Sequence, residues 1–269
     1  MNPAKTSEPS VSDQQRAVEY LDAISHTDFG SDYKRRTFAY LGVRNGSQVL
    51  DVGCGAGTDA IALARVTGRQ GRVVGVDIDP AMVREAVQRA QRCGPGIEFC
   101  VGDAHHLQFE DNTFDACRCD RALQHMPDAR SVIEEMVRVL RPGGRLVVSE
   151  PDWDTLAIAA NCRSITRRVV NFICDHSIRN GWLGRDLLAL AREVGLSNIE
   201  VRASAWILTD WTLADRLWNL RREAEKACSE GVLSAQEVQS WLVDLQDRAQ
   251  RGSFVTSITG FVVHGAKSQ

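Results

Sequence analysis

The chain has 269 residues, 43% apolar and 25% charged, which is room for one large α/β domain with a sizeable core and one accessory region. Its 32 basic and 35 acidic residues leave a net charge of −3, a balance that gives no support to a nucleic-acid partner. No apolar run reaches the roughly 18 residues needed to cross a bilayer, so no membrane span is expected.

Met1 to Ser12 is polar, and Lys5 is followed by no apolar stretch, so this segment reads as a disordered tail and not as a secretory leader. From Gln14 to Leu41 the pattern suggests one or two helices broken near Thr27 to Gly30. The run Val49-Leu50-Asp51-Val52-Gly53-Cys54-Gly55-Ala56-Gly57 is then the most informative stretch of the chain. An apolar strand feeds a loop with glycines at alternate positions, and a helix begins near Thr58. Such a loop lets backbone approach a ligand closely and aims helix N-terminal N–H groups at it. Val73-Val74-Gly75-Val76-Asp77 follows as a second apolar strand ending in a carboxylate, the place from which an acid can hold the two hydroxyls of a ribose.

Strands are expected at 47–52, 72–77, 97–101, 113–119 and 144–150, with helices near 57–67, 80–92 and 129–140. Asp79-Pro80 marks a helix start, and Pro142-Gly143-Gly144 turns the chain from a helix into the fifth strand. Strands alternating with helices argue for a parallel sheet with helices on both faces. Beyond Pro151 the spacing of Ile158, Cys162, Ile165, Val169, Phe172 and His176 predicts an amphipathic helix over 155–179. Leu187 to Val194 reads as a helix ended by Gly195, and strands follow at 199–206 and 254–264. Between them Leu213, Leu217, Leu220 and Ala224 line one helical face, and Val238, Trp241, Leu242 and Leu245 another. Ser234 with Glu237 forms a capping-box pair for the second. This insertion is long for a hairpin connection, and a lid, a dimer contact or extra core packing would each account for it.

The eight cysteines (Cys54, Cys93, Cys100, Cys117, Cys119, Cys162, Cys174 and Cys228) show no paired C-x-x-C spacing. They read as reduced thiols of a cytoplasmic protein, and no metal is expected.

Five ordered elements resemble the successive motifs of the class I S-adenosylmethionine (SAM) methyltransferases. They are the glycine loop, the strand ending at Asp77, Gly102-Asp103-Ala104, Asn112-Thr113-Phe114-Asp115-Ala116, and Arg141-Pro142-Gly143-Gly144-Arg145-Leu146-Val147-Val148. The resemblance covers about residues 45 to 150 and is nearest the group containing the ubiquinone/menaquinone-type and natural-product small-molecule enzymes. It implies a Rossmann-like α/β fold with a mostly parallel seven-stranded sheet, an antiparallel last strand and helices on both faces. The domain plan it suggests is a helical cover at 13–45, a SAM-binding core at 46–150, and a C-terminal part at 151–269 with substrate-side helices at 155–179 and 212–250.

The same resemblance implies roles for single residues. Asp51 would hold the amino group of SAM, and Gly53, Gly55 and Gly57 would pass beneath its methionine part. Asp77 would bind the ribose, Ile78 would pack on the adenine, and Asp103 with the Ala104 N–H would read the adenine edge. Arg121 sits where cofactor-contacting backbone is placed, and its side chain is a candidate to pair with Asp120 or to reach the methionine carboxylate, with Tyr33, Arg35 and Arg36 as alternative carboxylate partners. His125 is the candidate general base, since imidazole titrates near neutral pH. On the substrate side stand Tyr33, Glu150, Asp152 and Trp153, the last three at the strand edge where ligands bind in open parallel sheets. His105 and His106 read as surface groups, and the tryptophans of the second half suggest an apolar acceptor pocket or simply core.

The expected activity is transfer of a methyl group from SAM to O, N or C of a small-molecule acceptor, leaving S-adenosylhomocysteine (SAH), by a monomer or homodimer. NAD-linked oxidoreduction is a competing reading, because Gly55-Ala56-Gly57-Thr58-Asp59-Ala60 satisfies a loose G-x-G-x-x-A form. Against it stand Asp51 and the Gly102-Asp103-Ala104 and Arg141-Pro142-Gly143-Gly144 elements, which nicotinamide folds do not require. A third reading keeps SAM binding without methyl transfer, as a regulatory module or a repurposed catalyst, since fold and cofactor do not fix a reaction.

Overall fold

Short, uninterrupted apolar runs form the centre of one seven-stranded sheet in the computed structural model, which describes residues 18–19, 22–23, 27–91 and 96–269. The tail expected at 1–12 and Cys93 lie outside the described residues, as does most of the segment 13–26. Strands β1 (Gln48–Val52), β2 (Arg72–Asp77), β3 (Ile97–Val101), β4 (Phe114–Asp120) and β5 (Leu140–Ile158) pair in parallel in the spatial order β3-β2-β1-β4-β5. Strand β7 (Thr256–Lys267) lies antiparallel between β5 and β6 (Leu196–Leu208), completing the order. Val49, Leu50 and Val52 have no exposed surface, as expected of a strand covered on both faces.

Helices α1 (Asp28–Leu41), α2 (Thr58–Thr67), α3 (Pro80–Ala90) and α4 (Ala129–Val139) flank this half of the sheet. Local chemistry sets their starts. The Asp79 side chain accepts from Ala81 N at 2.8 Å with Pro80 at the first helical position, and Asp128 accepts from Ser131 N at 3.1 Å. Val132, Ile133, Met136 and Val139 of α4 pack on one face of the sheet with Leu187 and Ala191 of α6 (Leu183–Glu193). The larger core, on the other face, gathers Tyr33, Leu63, Val169, Trp206, Leu217 and Trp241.

Two expectations need correction. The helix anticipated over 155–179 is shorter: β5 continues to Ile158, α5 spans Arg163–Phe172, and a π-helical turn covers Ile173–Ser177. The reason is pairing, because Asp152, Ala157 and Ile158 sit opposite Thr259, Ser257 and Thr256 of β7. Ile165, Val169 and Phe172 are buried as their spacing predicted, while Cys162 and His176 are exposed. The insertion holds three helices, not two: α7 (Trp211–Trp218), α8 (Leu220–Ser229) and α9 (Ala235–Gln250). Asn219, at φ 51°, breaks the first pattern between Leu217 and Leu220. The Ser234–Glu237 capping box is present in both directions. Trp153, Trp206, Trp218 and Trp241 belong to the core, and Trp206 also lines a cavity of about 310 Å³ with Tyr33 and Tyr40.

Among the described residues no helix is long and apolar enough to cross a membrane, and no group of three or more His, Cys, Asp or Glu is placed to hold a metal ion.

Candidate active site

A cavity of about 350 Å³ opens at the C-terminal ends of β1, β2 and β4. It gathers Gly53, Gly55, Asp77 and Ile78 with Asp103, Ala104, Arg121 and His125, eight of the residues singled out by the sequence. The loop after β1 is shaped by Gly53 N and Cys54 N, which donate to Val76 O at 2.8 and 3.0 Å. Gly53 has φ 69°, and a Cβ there would lie 2.5 Å from that of Ala122, so only glycine lets the two loops approach this closely. Gly57 caps α2 at φ 78°, and a Cβ on it would strike the Phe99 ring at 2.6 Å. Its part is helix–strand packing, and it does not line the cavity.

Asp77 is fixed by two backbone donors, Gly55 N to Oδ2 at 2.8 Å and Asp79 N to Oδ1 at 3.0 Å. Burial still raises its pKa. Ile78 is 71% exposed beside it, an apolar surface facing the cavity. Asp103 accepts from the backbone N–H of His105 at 2.9 Å and pairs with its Nδ1 at 2.6 Å, contacts that lower the Asp103 pKa. His105 therefore lines the cavity, while His106 is exposed.

Beneath the cavity lies a buried ionic cluster that sequence reading missed. Arg118, 2% exposed in the middle of β4, reaches Asp51 at 3.2 Å, Asp59 at 2.9 Å and Asp120 at 3.1 Å. Lys34 of α1 pairs with Asp59 at 2.7 Å, Arg121 pairs with Asp120 at 3.2 Å, and the Tyr33 hydroxyl donates to Asp120. One signal was available: an arginine between Cys117 and Cys119, in a strand covered on both faces, needs buried carboxylates around it. Asp51 is thus below the cavity and not on it, and its Oδ2 is buried without a hydrogen-bond partner. Tyr33 is a strut between α1 and β4, its ring tilted against that of Trp206 with centroids 5.3 Å apart. Arg35 and Arg36 are exposed and pair with Asp32.

Burial pushes the Asp51 carboxyl up to about 7, against the pull of Arg118. A carboxyl whose folded pKa exceeds its unfolded value supports the fold at low pH and loses that support as pH rises from about 4 to 7. In urea unfolding, the stability of Asp51→Asn relative to wild type is therefore expected to increase across that window, by roughly 1–4 kcal/mol. A difference that stays flat with pH would contradict a proton held on Asp51.

His125 ends a single 3-10 turn, Leu123–His125, and is exposed at the cavity edge. Desolvation by its surroundings lowers its pKa, so it is neutral and able to accept a proton at pH 7. Glu150, Asp152 and Trp153 do not line the cavity. Glu150 is fully buried and accepts from Leu123 N at 2.7 Å, and burial holds its pKa well above the carboxylate range. Trp153 donates from Nε1 to Gln124 at 2.6 Å, and Asp152 is paired by Arg185 at 2.5 and 2.8 Å. Glu150 and Trp153 support the His125 turn from below, and Asp152 anchors α6 through Arg185.

Residues 44–206 match the profile of a family described as a methyltransferase domain. Over 246 residues the chain is 39% identical to an uncharacterized 37.1 kDa protein in transposon TN4556 of Streptomyces fradiae, covering 91% of this chain and 70% of that one. It is 38% identical to demethylmenaquinone methyltransferase of Bacillus cereus over 125 residues, 46% of this chain and about half (53%) of that relative. Among solved structures, the YcgJ protein of Bacillus subtilis superposes with a TM-score of 0.62 at 20% identity, covering 88% of this chain and 98% of that one.

Proposed function

Because this chain belongs to the class I SAM-dependent methyltransferases, we propose that it moves a methyl group from SAM to O, N or C of a small-molecule metabolite, with His125 as general base. The observation that carries this reading is the convergence of Asp77, Ile78, Asp103 and His125 on one cavity beside the glycine loop.

The donor set suits each part of SAM. Asp77 takes the ribose hydroxyls, Ile78 lies against the adenine, and Asp103 with the Ala104 N–H reads its edge. Asp51 lies below the cavity, so its unsatisfied Oδ2 would take up the amino group's charge through a bridging water, and a cation there would favour the ionised carboxylate. Arg121, which lines the cavity, is the candidate cation for the methionine carboxylate. When bound, SAM supplies an electrophilic methyl on a sulfonium, so direct in-line displacement asks little of the protein beyond alignment. His125 then removes the acceptor's proton as its atom attacks. Tyr33, Glu150, Asp152 and Trp153 act through the loops they brace.

The test is incubation with methyl-labelled SAM and a metabolite extract, followed by a search for labelled product and SAH. Tight SAM binding with no SAH formed under any acceptor would favour a non-transferring SAM protein. Once an acceptor is in hand, His125→Gln should cut turnover about a hundredfold while SAH affinity stays within threefold. The acid limb of the wild-type pH–rate profile should lie below the ordinary histidine value of 6.5, because desolvation lowers the pKa. Unchanged turnover in the variant would remove His125 from the mechanism.

A further inference from the structure

The turn that carries His125 is held from outside the nucleotide-binding core. Asn180, which lies in no recognisable motif, follows the π-helical turn Ile173–Ser177. Its Nδ2 donates to Leu123 O at 3.1 Å and to Met126 O at 2.8 Å. Its backbone N–H donates to Gln124 O at 3.0 Å. Both side-chain acceptors are carbonyls, so only the amide nitrogen can serve there and the orientation of the amide is fixed. A single residue thus spans the whole turn, from the residue before Gln124 to the residue after His125.

The segment bearing Asn180 is itself held from the other side. Ile178 N donates to Ile173 O at 3.0 Å, and Trp153 N donates to Gly181 O at 2.8 Å. Ser177 Oγ donates to Glu223 of α8 and accepts from Lys226 Nζ at 3.3 Å. Ser177, three residues before Asn180 in the chain, thus holds this segment to the helical insertion, while Asn180 holds it to the cavity wall.

We propose that Asn180 is the positioning residue of this enzyme: it sets the Leu123–Met126 turn, and with it the imidazole of His125, against the cofactor cavity. Asn180 touches neither the cavity nor any reacting atom. Its effect on turnover rests on the reading of His125 as the base, whereas its effect on the placement of His125 does not.

The full chain with SAH as probe tests this. In Asn180→Ala, circular dichroism should show the α/β fold retained. SAH affinity by calorimetry should fall about tenfold, the worth of two weakened contacts at the cavity wall. The NMR titration midpoint of His125 should rise toward 6.5 as the turn opens to water and desolvation is relieved. An unmoved His125 titration overturns the proposal, whatever the affinity does. Should the alanine variant not fold, Asn180→Leu serves instead. It keeps the branched shape but offers no donor to the two carbonyls and adds no charge, and the same rise is expected. If His125→Gln leaves turnover intact, the base role fails while the Asn180 titration shift still stands, so the two failures are separable.

Discussion

Asp77→Ala is expected to weaken SAH binding about a thousandfold in calorimetry, the loss of two hydrogen bonds to a charged acceptor at about 1.5–3 kcal/mol each. The carboxylate is held in place before any ligand arrives, since Gly55 N and Asp79 N each occupy one oxygen at 2.8 and 3.0 Å. Its remaining lone pairs are therefore aimed without further ordering cost, which is where the affinity of a preorganised site originates. Removing the side chain also strips Gly55 N of its acceptor, so the glycine loop loosens at the same time. Burial raises the Asp77 pKa, which means the ionised form still lacks part of the solvation it had in water. Hydroxyl donors from a ribose would supply it. Asp77→Asn should fall between wild type and alanine, because one oxygen remains to accept. Affinity within threefold of wild type in Asp77→Ala would contradict the ribose assignment.

How much of this was legible in the sequence follows from the range of the interactions involved. The Asp79 cap, the Ser234–Glu237 box and the glycine loop depend on residues within a few positions of one another, and each stands as read. The Asp77, Ile78, Asp103 and His125 set was also readable, because strand ends in a parallel sheet point to one edge. The extension of β5 was not, since its partners on β7 lie about a hundred residues further along, at Thr256 to Thr259. The same limit hid the surroundings of Tyr33, Glu150 and Trp153, which pack against Trp206, Leu123 and Gln124 from distant parts of the chain. Glu150 is wholly inside, and Trp153 spends its one donor on Gln124.

Arg118→Leu is expected to cost about 3–5 kcal/mol, seen as a fall of about 10 °C in melting temperature or as failure to accumulate folded protein. The argument is one of stranded charge. Asp51, Asp59 and Asp120 all lie within 3.2 Å of this guanidinium, and Arg118 is 2% exposed. Lysine is a poor substitute, because one ammonium cannot serve three carboxylates around a planar fork. The pH dependence identifies the cause. Although burial is the largest influence on Asp59 and Asp120 and opposes ionisation, their neighbouring cations, Arg118 among them, win and lower both pKa values. Groups with depressed folded pKa values give stability that is present above their unfolded value near 4 and is lost as pH falls through the folded one. The gap between wild type and Arg118→Leu should therefore be widest near neutral pH and narrow in acid, where all three carboxyls take up protons. Asp120→Asn combined with Arg118→Leu should recover part of the loss, since one ionised buried carboxylate fewer is left stranded. A melting temperature within about 2 °C of wild type would show that Arg118 fills space beside Phe38 and does not neutralise the floor of the cavity.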